Sequence, residues 1–219
     1  MLSKHCLRPS GCLERPHNSF RLVVRRKDDH HLRMTMAAID DATNKLMETP
    51  KQDVQTVTAE GDPVQRLIEG VKIVSAVTHP DERGTLCEIS SVALKAHPAP
   101  IVYVYQFTIR PGKVKGWHIH HLHDDRIFIS QGTVKVVLYD NRPDSPTYRV
   151  INEIYRTEHH RTLMVIPAYV FHAHHNVGQT EALFISMPTR IYNHESPDVY
   201  RLPLDNNTIP YRFEQRMGW

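Results

Sequence analysis

Cysteine is scarce in this 219-residue chain. There are three, Cys6, Cys12 and Cys87, and no two of them form a C-x-x-C pair. An odd, widely spaced set argues against a disulfide framework and for a reducing, cytoplasmic compartment. No apolar run approaches the roughly 20 residues that cross a bilayer, which excludes a membrane span. The N-terminus also lacks the apolar stretch of a secretory signal. There is no internal repeat and no low-complexity tract.

Positive charge is present but badly distributed. Residues 1–33 hold eight Lys/Arg against three Asp/Glu, a net of +5, so the rest of the chain carries −2. Asp28 and Asp29 fit a transit peptide poorly. The segment reads as a disordered tail, or as sequence upstream of a start at Met34 or Met36. Apart from Phe20 it has no interleaved aromatics and lies outside the folded region, so nucleic acid is discounted as a partner.

The first 58 residues read as a basic extension, disordered or partly helical. "MAAIDDATNKLME" at 36–48 has helix-forming composition and stops at Pro50, and "KQDVQTVTAEG" is a polar linker. A folded domain is expected over 59–219. It opens on "DPVQRLIEG", where Asp62 can cap, Pro63 fits the first turn and Gly70 can close a short helix.

From Val71 the pattern changes to "VKIVSAV", "IVYVYQFTI", "RIFIS", "TVKVVLY", "TYRVINEIY", "TLMVIP" and "ALFISM". These short β-branched and aromatic runs are separated by turn signals such as "HPDERG", "RPGK", "SQG", "DNRPDSP" and "NVGQT". Many short strands with almost no helical period between them predict an all-β sandwich or barrel.

Histidine is abundant, and it is concentrated. "GWHIHHLHDDR" at 116–126 packs four histidines and two aspartates into eleven positions. In a strand His118 and His120 share a face while Trp117 and Ile119 take the other. A second block, "PAYVFHAHHN", carries His172 and Asn176. By strand parity His121 and His123 face away from His118, and these two with His174 and His175 read as surface or interface residues. His159 and His160 read as a turn.

The spacing of His118, His120, Asp125 and Gly132, followed by Pro167, His172 and Asn176, resembles the paired motifs of the cupin superfamily. Asp125 stands where Glu is usual and Tyr169 where Gly is usual. The resemblance implies a double-stranded β-helix, or jelly roll, with His118, His120, Asp125 and His172 inside. Three imidazoles and a carboxylate would suit one divalent metal, Fe, Mn, Ni or Zn.

A closer resemblance covers about residues 70–213. "HPDERGTLCEI", "VKGWH", "GTVKVVLYDNRPDSPTY", "VIPAYVFHAHHNV" and "TRIYNHESPD" follow, in order, motifs of the dTDP-4-dehydrorhamnose 3,5-epimerases. That family implies a cofactor-free jelly roll, a homodimer built by strand exchange, and a nucleotide-sugar substrate. It implies proton abstraction beside a 4-keto group with His118 as base, for which His120 or His172 would be the partner in this chain. It also implies Arg83, Glu88 and Lys115 as substrate-binding residues. Three of the family's catalytic positions differ. The enolate-stabilising lysine falls on Asp125, the acid tyrosine falls near Ile185, and the segment that supplies an aspartate to the base is absent.

"KGWHIH" further resembles nucleotide-sugar 3,4-ketoisomerases, in which two same-face histidines act as acid and base. Three readings therefore stand at this level. They are a keto-sugar epimerase or isomerase, a metal-dependent cupin (isomerase or dioxygenase), and a non-catalytic sugar-binding jelly roll.

Overall fold

In the computed structural model, residues 52–60 and 63–213 are described. Residues 1–51 of the expected extension, including the helix expected at 36–48, lie outside them. Twelve strands follow in order: β1 (Lys72–Ser75), β2 (Thr78–Asp81), β3 (Gly84–Cys87), β4 (Tyr105–Ile109), β5 (Val114–Ile119), β6 (Asp125–Gln131), β7 (Thr133–Asp140), β8 (Ile151–Thr157), β9 (Thr162–Ile166), β10 (Val170–Asn176), β11 (Ala182–Ser186) and β12 (Tyr200–Arg201). One 3-10 turn, Val92–Leu94, is the only helical element among the described residues, and no helix there is long and apolar enough to cross a membrane.

Two five-stranded antiparallel sheets form the body, ordered β1-β9-β6-β11-β4 and β12-β5-β10-β7-β8; β2 and β3 make a separate hairpin. This is the expected cupin jelly roll. Strand alternation builds three apolar layers. Val134, Val136 and Leu138 of β7 meet Ile127, Ile129, Met164, Ile166 and Phe184 between the sheets. On the outer face of the second sheet, Trp117, Ile119, Val137, Tyr139 and Phe171 pack under Ile209, Tyr211 and Phe213. On the outer face of the first, Phe128, Leu163 and Val165 pack under Ala96 and Met187. Burying side chains of this size is worth roughly 1.5–3 kcal/mol each.

β5 and β10 approach closely because residue 116 has no side chain. A Cβ on Gly116 would sit 2.2 Å from the Ala173 Cβ. That contact puts His118 directly across from His172 in the ladder.

The helix expected at 62–70 does not form over its described residues, 63–70. The chain from Pro63 runs without regular structure to a turn at Glu69–Gly70, where Gly70 has φ +83°. Long-range hydrogen bonds decide the outcome. Asn152 Oδ1 accepts from the Ile68 N–H at 2.9 Å, Asn152 Nδ2 donates to the Arg66 carbonyl at 3.0 Å, and Thr147 Oγ1 accepts from the Glu69 N–H at 2.9 Å. Ile68 is thereby drawn into the core, 1% exposed. Tertiary contacts of this kind override local propensity. "HPDERG", read as a turn signal, holds the turn of a hairpin: β2 pairs with β3 around Glu82 and Arg83.

Candidate functional site

A cavity of about 690 Å³ opens between the sheets, a size suited to a small-molecule ligand. β5 contributes Lys115 and His118, the chain just past it His120 and His123, the start of β6 Asp125, and β10 His172 and His174. β4 contributes Tyr105 and Phe107 from the opposite sheet, with Tyr103 just ahead of it, and the segment 188–201 forms the rim with Arg190, Tyr192 and Arg201.

The rim and the β4 approach are anchored by a buried guanidinium. Arg126 donates to the carbonyls of Met187, Ala99, Pro100 and Pro188 at 2.6–3.2 Å. Asp198 fastens the turn after β5. Its carboxylate accepts from the backbone N–H groups of His121 (3.0 Å) and Leu122 (2.7 Å) and from His123 Nδ1 (2.9 Å).

Deep in the cavity one carboxylate faces three rings. Asp125 Oδ2 lies 3.2 Å from His120 Nε2 and 3.4 Å from His172 Nε2, and Asp125 Oδ1 lies 3.6 Å from His123 Nε2. The other nitrogen of each ring is already engaged. His120 Nδ1 is 2.6 Å from the Asp198 carbonyl and His172 Nδ1 is 3.2 Å from the Val170 carbonyl. A carbonyl only accepts, so both Nδ1 atoms carry protons. Asp125 Oδ1 is buried with no hydrogen-bond partner. Burial opposes charge on Asp125, yet the facing rings of His120 and His123 hold its carboxyl well below the usual range. Burial also opposes a charged His120, which the Asp125 carboxylate nevertheless raises.

His118 stands apart. The atoms of His120, Asp125 and His172 that could ligate a metal lie within 4.8 Å of one another, and His118 is not part of that group. Of the four residues expected as ligands, the structure brings these three together. Burial, and then the charge of Arg201, lower the His118 pKa to about 4, so the ring is a neutral proton acceptor at physiological pH.

Other expected roles are redistributed. His123 and His174 line the cavity rather than the surface. Parity failed for His123 because β5 ends at Ile119. For His174 the signal was available, since it shares the face of His172 in β10. His175 is 6% exposed, its ring against Phe213. Arg83, 81% exposed, and Glu88 lie on or beside the β2–β3 hairpin and do not line this chain's cavity. The sequence reading also missed Tyr103, Tyr105 and Phe107, although their period-two spacing marks one face of a strand.

Comparison with known proteins bears on this site. The sequence profile described as dTDP-4-dehydrorhamnose 3,5-epimerase matches residues 65–214. The spore coat polysaccharide biosynthesis protein SpsL of Bacillus subtilis is 33% identical over 149 residues, covering 67% of this chain and 97% of that protein. The probable low-salt glycan biosynthesis epimerase Agl13 of Haloferax volcanii is 31% identical over 140 residues, covering 63% and 89%. A solved dTDP sugar isomerase from Desulfovibrio desulfuricans has a TM-score of 0.60 at 25% identity, over 66% of this chain and 90% of that one. With a jelly roll, a histidine-lined cavity and a profile that spans the whole barrel, this chain belongs to the dTDP-4-dehydrorhamnose 3,5-epimerase family of sugar isomerases.

Proposed function

We propose that the chain epimerises a nucleotide-linked 4-keto sugar, with His118 as the base and Tyr105 as the acid on the opposite wall. The observation that carries this reading is the placement of the two residues. His118 belongs to β5 of one sheet and Tyr105 to β4 of the other, and both line the same cavity. Inverting a carbon requires a proton to leave one face and another to arrive on the other, so acceptor and donor must approach from opposite sides.

Tyr105 is the cross-strand partner of Ser186, next to the strand position where the family's acid falls. Burial and the Asp125 charge raise its pKa, which keeps the phenol protonated and able to donate. The mouth carries Lys115, Arg190 and Arg201. Three cations suit a diphosphate, whose oxygens accept charge-assisted hydrogen bonds. The substrate class is then a dTDP-4-keto sugar or a close relative. A nucleotide role for Arg83 and Glu88 requires a second copy of the chain, hence a homodimer, which light scattering would measure.

The test is carried out in heavy water with a dTDP-4-keto-6-deoxy sugar. The wild type should take up deuterium beside the keto carbon and invert it, and His118→Asn should do neither. Tyr105→Phe should still exchange at the base face but lose inversion. Inversion by Tyr105→Phe at the wild-type rate removes the assigned acid. Absence of exchange in the wild type with every 4-keto nucleotide sugar tried removes the whole reading.

A further inference from the structure

His174 lines the cavity from β10 and is 2% exposed, yet among the described residues no hydrogen bond or ion pair reaches its ring. Its Nδ1 is buried without a partner. Trp117, Arg161, His175 and Ser186 also hold such an atom, but none of them lines the cavity. The Phe107 and Phe184 rings lie 5.8 and 5.2 Å from His174 and offer it no acceptor. The neighbouring His172 has Nδ1 on the Val170 carbonyl and Nε2 facing Asp125. A buried polar side chain with no partner lowers stability, and a phenyl ring would fill the same space without that loss. An imidazole in this place fits a partner that arrives with the ligand.

The rings of His118, His172, His174, Phe107 and Tyr105 follow one another around the cavity wall, with centroid spacings of 5.8, 5.6, 5.8 and 6.2 Å. His174 is the middle of that arc, between the base on β5 and the acid on β4. Epimerisation needs a group at this place. When His118 takes the proton beside the keto carbon, the C–H electron pair becomes a C=C bond and the carbonyl π pair moves onto oxygen. Tyr105 then gives a proton to the opposite face and the oxygen's pair returns to the carbonyl. His118 and Tyr105 recover their starting states by exchange with solvent. Base and acid approach the two faces of the planar enolate, so its oxygen, which lies in the plane, is met from the edge between them. Charge develops on that oxygen, and a donor already aimed at it lowers the barrier. Asp125 stands where the family's lysine falls, and an acid cannot supply an ammonium's charge there.

We infer that the His174 imidazole donates a hydrogen bond to the 4-keto oxygen and holds the enolate that His118 creates. An imidazole carries at least one N–H in either charge state, so the donor is always present. The phenyl rings of Phe107 and Phe184 make the surroundings apolar, which strengthens a hydrogen bond formed there. This role rests on the epimerase reading and gives the enolate oxygen a partner that His118 and Tyr105 do not provide.

The experiment follows deuterium uptake and inversion of a dTDP-4-keto-6-deoxy sugar in heavy water, together with dTDP affinity and unfolding temperature. His174→Phe keeps a ring against Phe107 and Phe184 and removes the N–H. Its kcat should fall by about 10²–10³, as for one lost oxyanion donor, with KM and dTDP affinity unchanged. Exchange and inversion should fall together, because both follow enolate formation, whereas Tyr105→Phe loses inversion alone. The unfolding temperature of His174→Phe should equal or exceed that of the wild type. His174→Gln and His174→Asn return an amide N–H at the reach of Nε2 and of Nδ1, and at least one should recover tenfold over His174→Phe. If His174→Phe does not fold, His174→Leu carries the same expectations. Exchange at the wild-type rate in His174→Phe, loss of inversion alone, activity lost in step with stability, or no recovery in either amide variant overturns the inference and leaves the epimerase reading standing. A wild type that exchanges no proton with any 4-keto nucleotide sugar overturns the epimerase reading and this role with it.

Discussion

His118 and His172 are cross-strand partners on β5 and β10, their rings 5.8 Å apart at 81°, yet only His172 belongs to the Asp125 cluster. Their substitutions should therefore separate chemistry from stability. His118 is partly exposed and has a free role, so His118→Asn should cost under about 1 kcal/mol in folding while lowering kcat by about 10²–10⁴. His172 is 2% exposed and braced by the Val170 carbonyl. His172→Ala should cost about 1–3 kcal/mol of stability through lost packing and stranded polar groups. Chemical denaturation alongside turnover measures both. Equal stability loss in the two variants would contradict the division.

The acid side of the pH–rate profile follows from the His118 environment. Burial first, and the Arg201 charge second, disfavour the imidazolium and bring its pKa to about 4. A protonated ring cannot accept a proton, so activity is lost only as pH falls through the folded-state value. kcat/KM should stay level from neutral pH to about 5 and reach half near pH 4, rather than near the ~6.5 of a free imidazole. Arg201→Gln removes a cation, which favours the charged ring and should move the midpoint upward. A wild-type midpoint at 6.5, or a downward shift in Arg201→Gln, would contradict this account. Brief pH jumps keep unfolding out of the measurement.

Asn152 takes the place of the helix that residues 63–70 do not form. Its side chain satisfies the Ile68 N–H and the Arg66 carbonyl together. Asn152→Ala strands both, at about 1–3 kcal/mol for a buried group left unpaired. The midpoint of urea unfolding should fall accordingly, and proteolysis of the native protein should begin within 63–70. A variant as stable as the wild type would return the segment to local propensity.

The jelly roll was legible because its evidence is local and repeated. Val, Ile, Tyr and Thr runs broken by "DNRPDSP" or "NVGQT" state the strands and turns without reference to distant residues. The convergence of His118, His120, Asp125 and His172 on one cavity was legible through strand parity and motif spacing. Two of the misreadings occurred where distance in sequence matters. Asp62, Pro63 and Gly70 signal a helix, but Asn152 and Thr147 lie about 80 positions away and decide otherwise. His123 was assigned outward because parity was carried past the end of β5, into a turn that Asp198 shapes from 75 positions on. The Nδ1 contacts of His120 and His172 are to backbone carbonyls, about which side-chain spacing says nothing.

Tyr169, where the cupin motif has glycine, adopts φ +63°. A left-handed backbone costs a non-glycine residue on the order of 1 kcal/mol, so something must offset it. The ring stacks on His121 at 4.7 Å and 12°, His121 stacks in turn on Tyr200 at 4.2 Å and 17°, and the Tyr169 N–H donates to the His120 carbonyl at 2.8 Å. An aromatic pair contributes about 0.5–1.5 kcal/mol beyond its buried area, which matches the strain it opposes. Tyr169→Ala loses the stack and keeps the strain, whereas Tyr169→Gly loses the stack and the strain together. The glycine variant should therefore unfold at a higher temperature than the alanine variant, and Tyr169→Phe should match the wild type. If alanine proves as stable as glycine, the backbone at 169 is unstrained and the stack has no strain to offset.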